Sequence, residues 1–264
     1  MKEHGYTHQV LVRLKQTDHG ILRNGIWAYT NERLCKDDLI TVQIVENECS
    51  DNIAPVNLPL DIAYEDDDII VINKPFDMPA HPSAGNHDNT LANALMYYYG
   101  SQNKPFVYRC INRLDRDTTG LTIVAKHALA GGILGNAVAK RAIHRTYYAV
   151  CSGCTPICMR ISAPIARKDA STIERCVDFK HGEYAVTDFI RIKYNPDNNL
   201  SLVKLRLLTG RTHQIRVHMK YIGFPLIGDF LYNPDYTYIS RQALHSGRLV
   251  FTHPVTGQKT EPHI

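Results

Sequence analysis

Read from the amino terminus, the apolar positions of this chain fall into short runs whose period changes several times. Residues 8–15 carry a helical pattern, residues 20–27 hold the turn dipeptide Asn24-Gly25, and residues 39–45 (LITVQIV) read as a strand. A polar, proline-punctuated stretch over 47–59 follows. The chain is therefore expected to divide into a small amino-terminal module (1–50), a linker (51–60) and a larger domain (61–264). In the larger part Ile69-Ile70-Val71-Ile72 is a continuous apolar run ending at Lys74-Pro75, the pattern of a buried strand entering a turn. Residues 76–87 read as a loop, 91–99 as a helix stopping at Gly100, and 121–125 as a strand that starts directly after Gly120. Leu129, Ile133, Leu134, Ala137 and Val138 then recur at helical spacing in spite of the glycines among them. Strands are expected over 145–150, 185–194 and 200–208. A last helix over 212–222 would start from a tight turn at Gly210 with Thr212 as its cap, and bury Ile215, Met219 and Ile222. His213, Arg216 and Lys220 share another face of that helix. Strands outnumber helices and several are joined by short turns, so the pattern predicts an α+β fold around a mixed, mostly antiparallel sheet.

Composition adds little to this picture and charge distribution adds more. The 264 residues are 44% hydrophobic and 21% charged, as in an ordinary globular protein. No apolar run reaches the roughly 18 residues of a membrane span, and Met1 to Gly5 lack the apolar core of a signal peptide, so a cytoplasmic location is expected. The seven cysteines form no evenly spaced framework and are expected to be reduced thiols. Net charge is only +4, but basic residues cluster. Eight lie between positions 104 and 147 against two acids, and five lie between 204 and 220 with no acid. Acids concentrate instead at Asp61, Glu65, Asp66, Asp67 and Asp68. Such basic clustering favours a polyanionic partner, most simply nucleic acid.

The first basic cluster contains Arg113-Leu114-Asp115-Arg116-Asp117-Thr118-Thr119-Gly120, a carboxylate between two guanidinium groups on a loop at a strand's mouth. Flanking positive charge supports and aims a carboxylate, which makes Asp115 the first candidate for a nucleophile or general base. The second contains Thr209-Gly210-Arg211-Thr212-His213-Gln214-Ile215-Arg216, where donors gather at a helix amino terminus suited to anions. Arg216 is a candidate partner for a carboxylate, and Arg211 or His213 for phosphate. Cys151, Cys154, Cys158 and Cys176 have spacings that suggest zinc, but only one tight pair occurs among them, so core or turn thiols are expected and no metal.

Taken in order, Asn73-Lys74-Pro75 with His81-Pro82, the octet ending at Gly120 with Leu121, and Thr209 to His218 resemble the RluA-like family of RNA pseudouridine synthases. Gly223-Phe224-Pro225-Leu226-Ile227-Gly228-Asp229, Arg241 to His245 and Phe251 to Pro254 extend the resemblance over roughly residues 60–262. It implies a pseudouridine synthase fold with flanking helices and an active-site cleft across the sheet, and isomerisation of uridine to pseudouridine in RNA without a cofactor. By position, it makes Asp115 the catalytic aspartate, Tyr147 the active-site tyrosine and Arg216 the arginine paired with the aspartate. Arg113 would enter the RNA where the base leaves. Arg116, Arg211, His213 and Lys220 are candidate RNA contacts, and Lys74, Thr118, Gly120 and Ile215 candidate structural residues near the site. The family usually has His and Ser where this chain has Asn112 and Thr119. Residues 1–50 resemble the second half of the alpha-L RNA-binding module, with a shortened first helix, which points to rRNA rather than tRNA.

A monomer without an obligate protein partner is expected. A catalytically silent RNA-binding protein of the same fold, acting in ribosome assembly, is the alternative; retention of Asp115, Tyr147 and Arg216 together argues for an active enzyme. A metal-dependent nuclease would need a cluster of carboxylates around Asp115, and only Asp117 is near in sequence.

Overall fold

A computed structural model of the chain describes residues 6–46, 48–168 and 173–264. The reading of Met1 to Gly5 and the first connector residue, Asn47, lie outside the described residues. The amino-terminal segment folds as expected into α1 (His8–Gln16), β1 (Ile21–Arg23), β2 (Ile26–Trp27) and β3 (Ile40–Val42). Thr7 caps α1 by accepting from Val10 N. Asn24 and Gly25 both take positive φ, 51° and 81°, which joins β1 to β2 as a two-residue hairpin. The segment buries Val10, Leu14, Ile21 and Ala28 against Leu129 of the larger part.

The larger part opens with β4 (Ile62–Glu65) and β5 (Ile69–Lys74), followed by α2 (Leu91–Gly100), β6 (Arg109–Cys110), β7 (Thr119–Ala125), α3 (Ala128–Ala139) and β8 (His144–Ser152). It continues through β9 (Cys158–Ser162), β10 (Ile165–Arg167), β11 (Arg175–Val177), β12 (Val186–Asn195), β13 (Leu200–Leu207), α4 (Gln214–Tyr221), β14 (Leu244–Thr252) and β15 (Lys259–Thr260). The main sheet runs β4-β5-β7-β14-β8-β13-β12-β9, with β6 on β7 and β15 on β14. Its pairs are antiparallel except β14 with β7, which are parallel. This is the α+β architecture that the pattern predicts. No described helix is long and apolar enough to cross a membrane.

Besides the unexpected strands β9, β10 and β11, two departures bear on the site. β14 lies at the centre of the sheet, yet its polar run His245-Ser246-Gly247-Arg248 hides it from an alternation test. A register shift against β8 between Ser246 and Arg248 breaks the alternation at that point. The last helix starts at Gln214, not Thr212, and its N-cap is His213 in the left-handed region (φ 57°) with no side-chain cap bond. Thr212 is exposed. The chain therefore turns sharply at His213, with no glycine and no hydroxyl cap.

Two apolar clusters frame the sheet on either side of β5 and β7. One joins Ile69, Val71, Leu121 and Ile123 to α3, the other joins Ile70, Ile72 and Val124 to α2. A third gathers Leu114, Tyr147, Leu205, Ile215, Met219 and Leu244, and thus ties β8, β13, α4 and the start of β14 to the 113–120 loop. Gly120 is the point where that loop becomes β7. Its φ is +108°, and a Cβ there would stand 2.3 Å from Ser246 O. Gly120→Ala therefore combines backbone strain with a clash against backbone, and should cost about 2–4 kcal/mol, a fall of roughly 5–15 °C in Tm. Gly100→Ala, which meets nothing within 4 Å, should stay within about 1 kcal/mol of wild type in the same thermal melts.

Candidate active site

The 113–120 loop is held from several sides. Asn112 is buried, and its side chain continues the β6–β7 ladder by donating to Leu121 O (3.1 Å) and accepting from Ile123 N (2.8 Å). An amide offers both a donor and an acceptor at one terminus, which suits it to stand in for a backbone rung. Beyond that rung the chain peels away from the sheet. Lys74 Nζ donates to three carbonyls, Pro75 O (2.7 Å), Met78 O (2.8 Å) and Arg116 O (2.8 Å), and so binds the loop to the end of β5. Burial lowers the Lys74 pKa to about 8, although the charges of Asp117 and Asp115 partly offset it. Farther along, Gln242 Nε2 donates to Thr118 Oγ1 (2.8 Å) and Thr119 Oγ1 lies 2.8 Å from His245 Nδ1. Both residues that differ from the family's usual pattern, Asn112 and Thr119, thus hold the loop on the sheet.

Within this frame Asp115 faces a cleft of about 620 Å³ lined also by Arg113, Tyr147, Arg211, His213 and Arg216. Its Oδ2 accepts from Arg216 Nη1 at 2.8 Å and lies 3.8 Å from His213 Nε2. The neighbouring guanidinium groups point elsewhere. Arg116 pairs with Asp117 (3.3 Å) and Asp77 (3.6 Å), and Arg113 is exposed with no ion pair among the described residues.

Arg216 is 2% exposed and makes a second, two-pronged contact that sequence reasoning missed. Its Nε and Nη2 donate to Asp229 Oδ2 (2.7 Å) and Oδ1 (2.8 Å). Asp229 is fully buried and also accepts from the N–H groups of Leu231 and Tyr232. Burial would pull the Arg216 pKa down, but the Asp229 and Asp115 carboxylates outweigh it and raise it. The rings of Tyr232 and Phe230 lie 5.0 and 5.4 Å from the guanidinium carbon. The preceding residue, Gly228, has φ +69°, and a Cβ on it would stand 2.1 Å from Arg241 O. Only glycine allows this segment to pack against the backbone of Ile239 and Arg241. Asp229 was visible in the Gly228-Asp229 motif but carried no signal of its partner.

Tyr147 is 4% exposed and stands on β8 opposite Leu205 and Ser246. Burial pushes its phenol above the ordinary value, while the nearby Arg145 guanidinium opposes the shift. The phenol is therefore protonated at neutral pH and presents a fixed ring to the cleft. Ile215 is buried beside it in the same core cluster.

The expected common face of His213, Arg216 and Lys220 does not form one solvent-facing surface. His213 lines the cleft, its Nδ1 lies 2.9 Å from the Tyr232 hydroxyl, and burial lowers its pKa against the pull of Asp115. Arg216 is buried, and Lys220 is exposed with its Nζ 5.5 Å from the Tyr232 ring centre. Arg211 is exposed and pairs with Glu183. All seven cysteines are free, and burial pushes Cys151 up to about 12. Asp66, Asp68 and His253 do bring ligand-type atoms within 4.8 Å of one another. However, His253 Nδ1 accepts from Val255 N and Thr256 N, so Nε2 carries the proton and donates to Asp66 (2.8 Å). The group is a clasp between the β4–β5 turn and the chain after β14.

The family described as RNA pseudouridylate synthase matches residues 68–221. A Bacillus subtilis (strain 168) protein named as an uncharacterized RNA pseudouridine synthase, YjbO, is 38% identical over 262 residues, which cover 99% of this chain and 92% of that protein. Ribosomal large subunit pseudouridine synthase D of Haemophilus influenzae is 42% identical over 232 residues, 83% of this chain and 71% of its own length. Among solved structures, human RNA pseudouridylate synthase domain containing 1 has a TM-score of 0.66 at 26% identity, over 78% of this chain and 83% of that one. Motifs, fold and relatives agree, and the chain belongs to the RluA-like family of RNA pseudouridine synthases, isomerases that act on RNA.

Proposed function

We propose that the chain converts specific uridines of large-subunit rRNA to pseudouridine, with Asp115 as the group that starts the reaction. The observation that carries this reading is the contact of Asp115 with a guanidinium fixed from behind by Asp229, in a cleft that also holds Tyr147. The reaction breaks the N-glycosidic bond, turns the uracil and joins C5 to the ribose. The uridine must leave its stack to enter the cleft. Arg113, exposed at the rim with no ion pair among the described residues, occupies the space it leaves. Tyr147 offers its ring to the uracil, and Arg216 aims Asp115 at the sugar and base. At the end a proton leaves C5, removed by Tyr147 directly or through water, with the phenol passing its own proton to solvent.

Large-subunit rRNA is favoured by relatives named for that substrate and by the amino-terminal segment, residues 1–50, which acts as a guiding RNA-binding module joined through 51–60 to the catalytic domain, 61–264. The enzyme acts as a cytoplasmic monomer. Arg116 and Arg211 contribute contacts to RNA along the cleft, and Lys220 outside it.

Asp115→Asn should abolish pseudouridine formation in an rRNA transcript while changing RNA affinity by no more than about threefold. Product formed at the wild-type rate by this variant would overturn the assignment. Asp229→Asn leaves Arg216 buried with one charge partner. It should destabilise the protein by about 3 kcal/mol and, in the folded fraction, lower the single-turnover rate by about tenfold or more. Denaturant melts and rapid-quench assays measure the two effects separately. The Lys74 amine, followed by carbon NMR of its ε-methylene, should titrate at about 8 rather than near 10.5. Because its folded pKa is the lower one, the unfolded chain holds more protons between about pH 8 and 10.5, so the contribution of this group to stability rises with pH across that window and is lost as pH falls through 8.

A further inference from the structure

We infer that a basic groove beside the cleft holds backbone phosphates of the RNA strand that carries the target uridine; this rests on the reading of the cleft as the uridine site. The groove has a volume of about 440 Å³, and Asn112, Arg145, Leu207, Gly210 and Arg211 line both it and the cleft. It is therefore a continuation of the site. Arg141, His144, Arg145, Arg206 and Arg211 line it, and no acidic residue does.

Arg13, Arg109, Arg160 and Arg248 elsewhere on the molecule each pair with a carboxylate, and within the groove Arg211 pairs with Glu183. Arg141, Arg145 and Arg206 have no ion pair among the described residues. Arg206 stands opposite Asp188 on β12 and adds its charge to the pull on that carboxylate, but Arg160 already engages both its oxygens at 2.7 and 2.8 Å, so positive charge is in excess there. Arg145 stands two residues from Tyr147 on β8, so the two share a face of the strand. Its Nη2 lies 3.0 Å from where a Cβ on Gly210 would stand, and its Nε is buried with no hydrogen-bond partner among the described residues. The absent side chain at Gly210 thus makes room for a guanidinium at the junction of the two spaces.

A nucleotide whose base enters the cleft carries a phosphate on each side, and the strand must leave along an adjoining surface. A surface lined by guanidinium groups in excess of the carboxylates that reach them attracts phosphodiesters, and the planar fork of arginine matches two phosphate oxygens at once. Arg141 and Arg206 lie in the groove but not in the cleft, so they are the residues that separate strand holding from chemistry.

The test is filter binding of an in vitro transcript of large-subunit rRNA over a series of KCl concentrations, together with single-turnover pseudouridine formation at saturating RNA. Arg141→Glu with Arg206→Glu should raise Kd about tenfold or more and reduce the slope of log K against log [KCl] by about 1.4, two phosphates at about 0.7 each. The saturated rate should stay within about twofold of wild type. Lys193→Glu on β12, paired with Leu202 far from the groove end of β13, is the control and should leave the slope unchanged. Should the double reversal lower the melting temperature, Arg141→Gln with Arg206→Gln is read the same way. An unchanged slope in a folded variant, or an equal loss in Lys193→Glu, overturns the groove. A transcript that binds with these slopes but is never modified leaves the groove standing and counts against the proposed substrate alone.

Discussion

A guanidinium with 2% of its surface exposed is tolerable only if its charge is matched, and the arrangement around Arg216 follows from that requirement. Asp229 matches it on the inner side with two parallel hydrogen bonds and is itself held by two backbone N–H groups. Asp115 matches it on the outer side through a single bond. The two carboxylates are not equivalent: Asp229 is fully buried, whereas the Asp115 side chain keeps 30% of its surface and faces the cleft. One acid anchors the cation, and the cation aims the other acid.

That division is built into the spacing of apolar residues. Leu114 and Ile215 enter the same core cluster as Tyr147, Leu205 and Leu244, and each immediately precedes a charged residue of the site. Fixing the apolar neighbour fixes the direction of the charged one. Behind them, Asn112 and Lys74 hold the loop by its backbone, so Asp115 is located by hydrogen bonds that do not touch its carboxylate.

Much of this was legible in the chain. The continuous run at 69–72, the motif at 113–120 and the alternation of β8, β12 and β13 carry local signals that survive folding. So did the pairing of Asp115 with Arg216 rather than with adjacent Arg116, though through resemblance to a family. What was hidden depends on tertiary contact. β14 is broken in its alternation by an irregular register, and Asp229 looks like any loop aspartate until the helix lies over it. His213 reads as an exposed phosphate ligand on a helical wheel, yet the left-handed turn carries it into the cleft with its charge suppressed by burial.

The parallel pairing of β7 with β14 brings together Thr119 and His245, and with them Thr118 and Gln242, at sequence separations of 126 and 124. Arg216 meets Asp115 across 101 residues. No local segment can therefore assemble the site, and closing such long loops is slow compared with forming a helix or hairpin. During synthesis the start of β7 has an open edge beyond β6 until β14 emerges and inserts between β7 and β8. A nascent chain thus carries an incomplete sheet until β14 emerges, and only completion of the sheet brings its acid, arginine and tyrosine together.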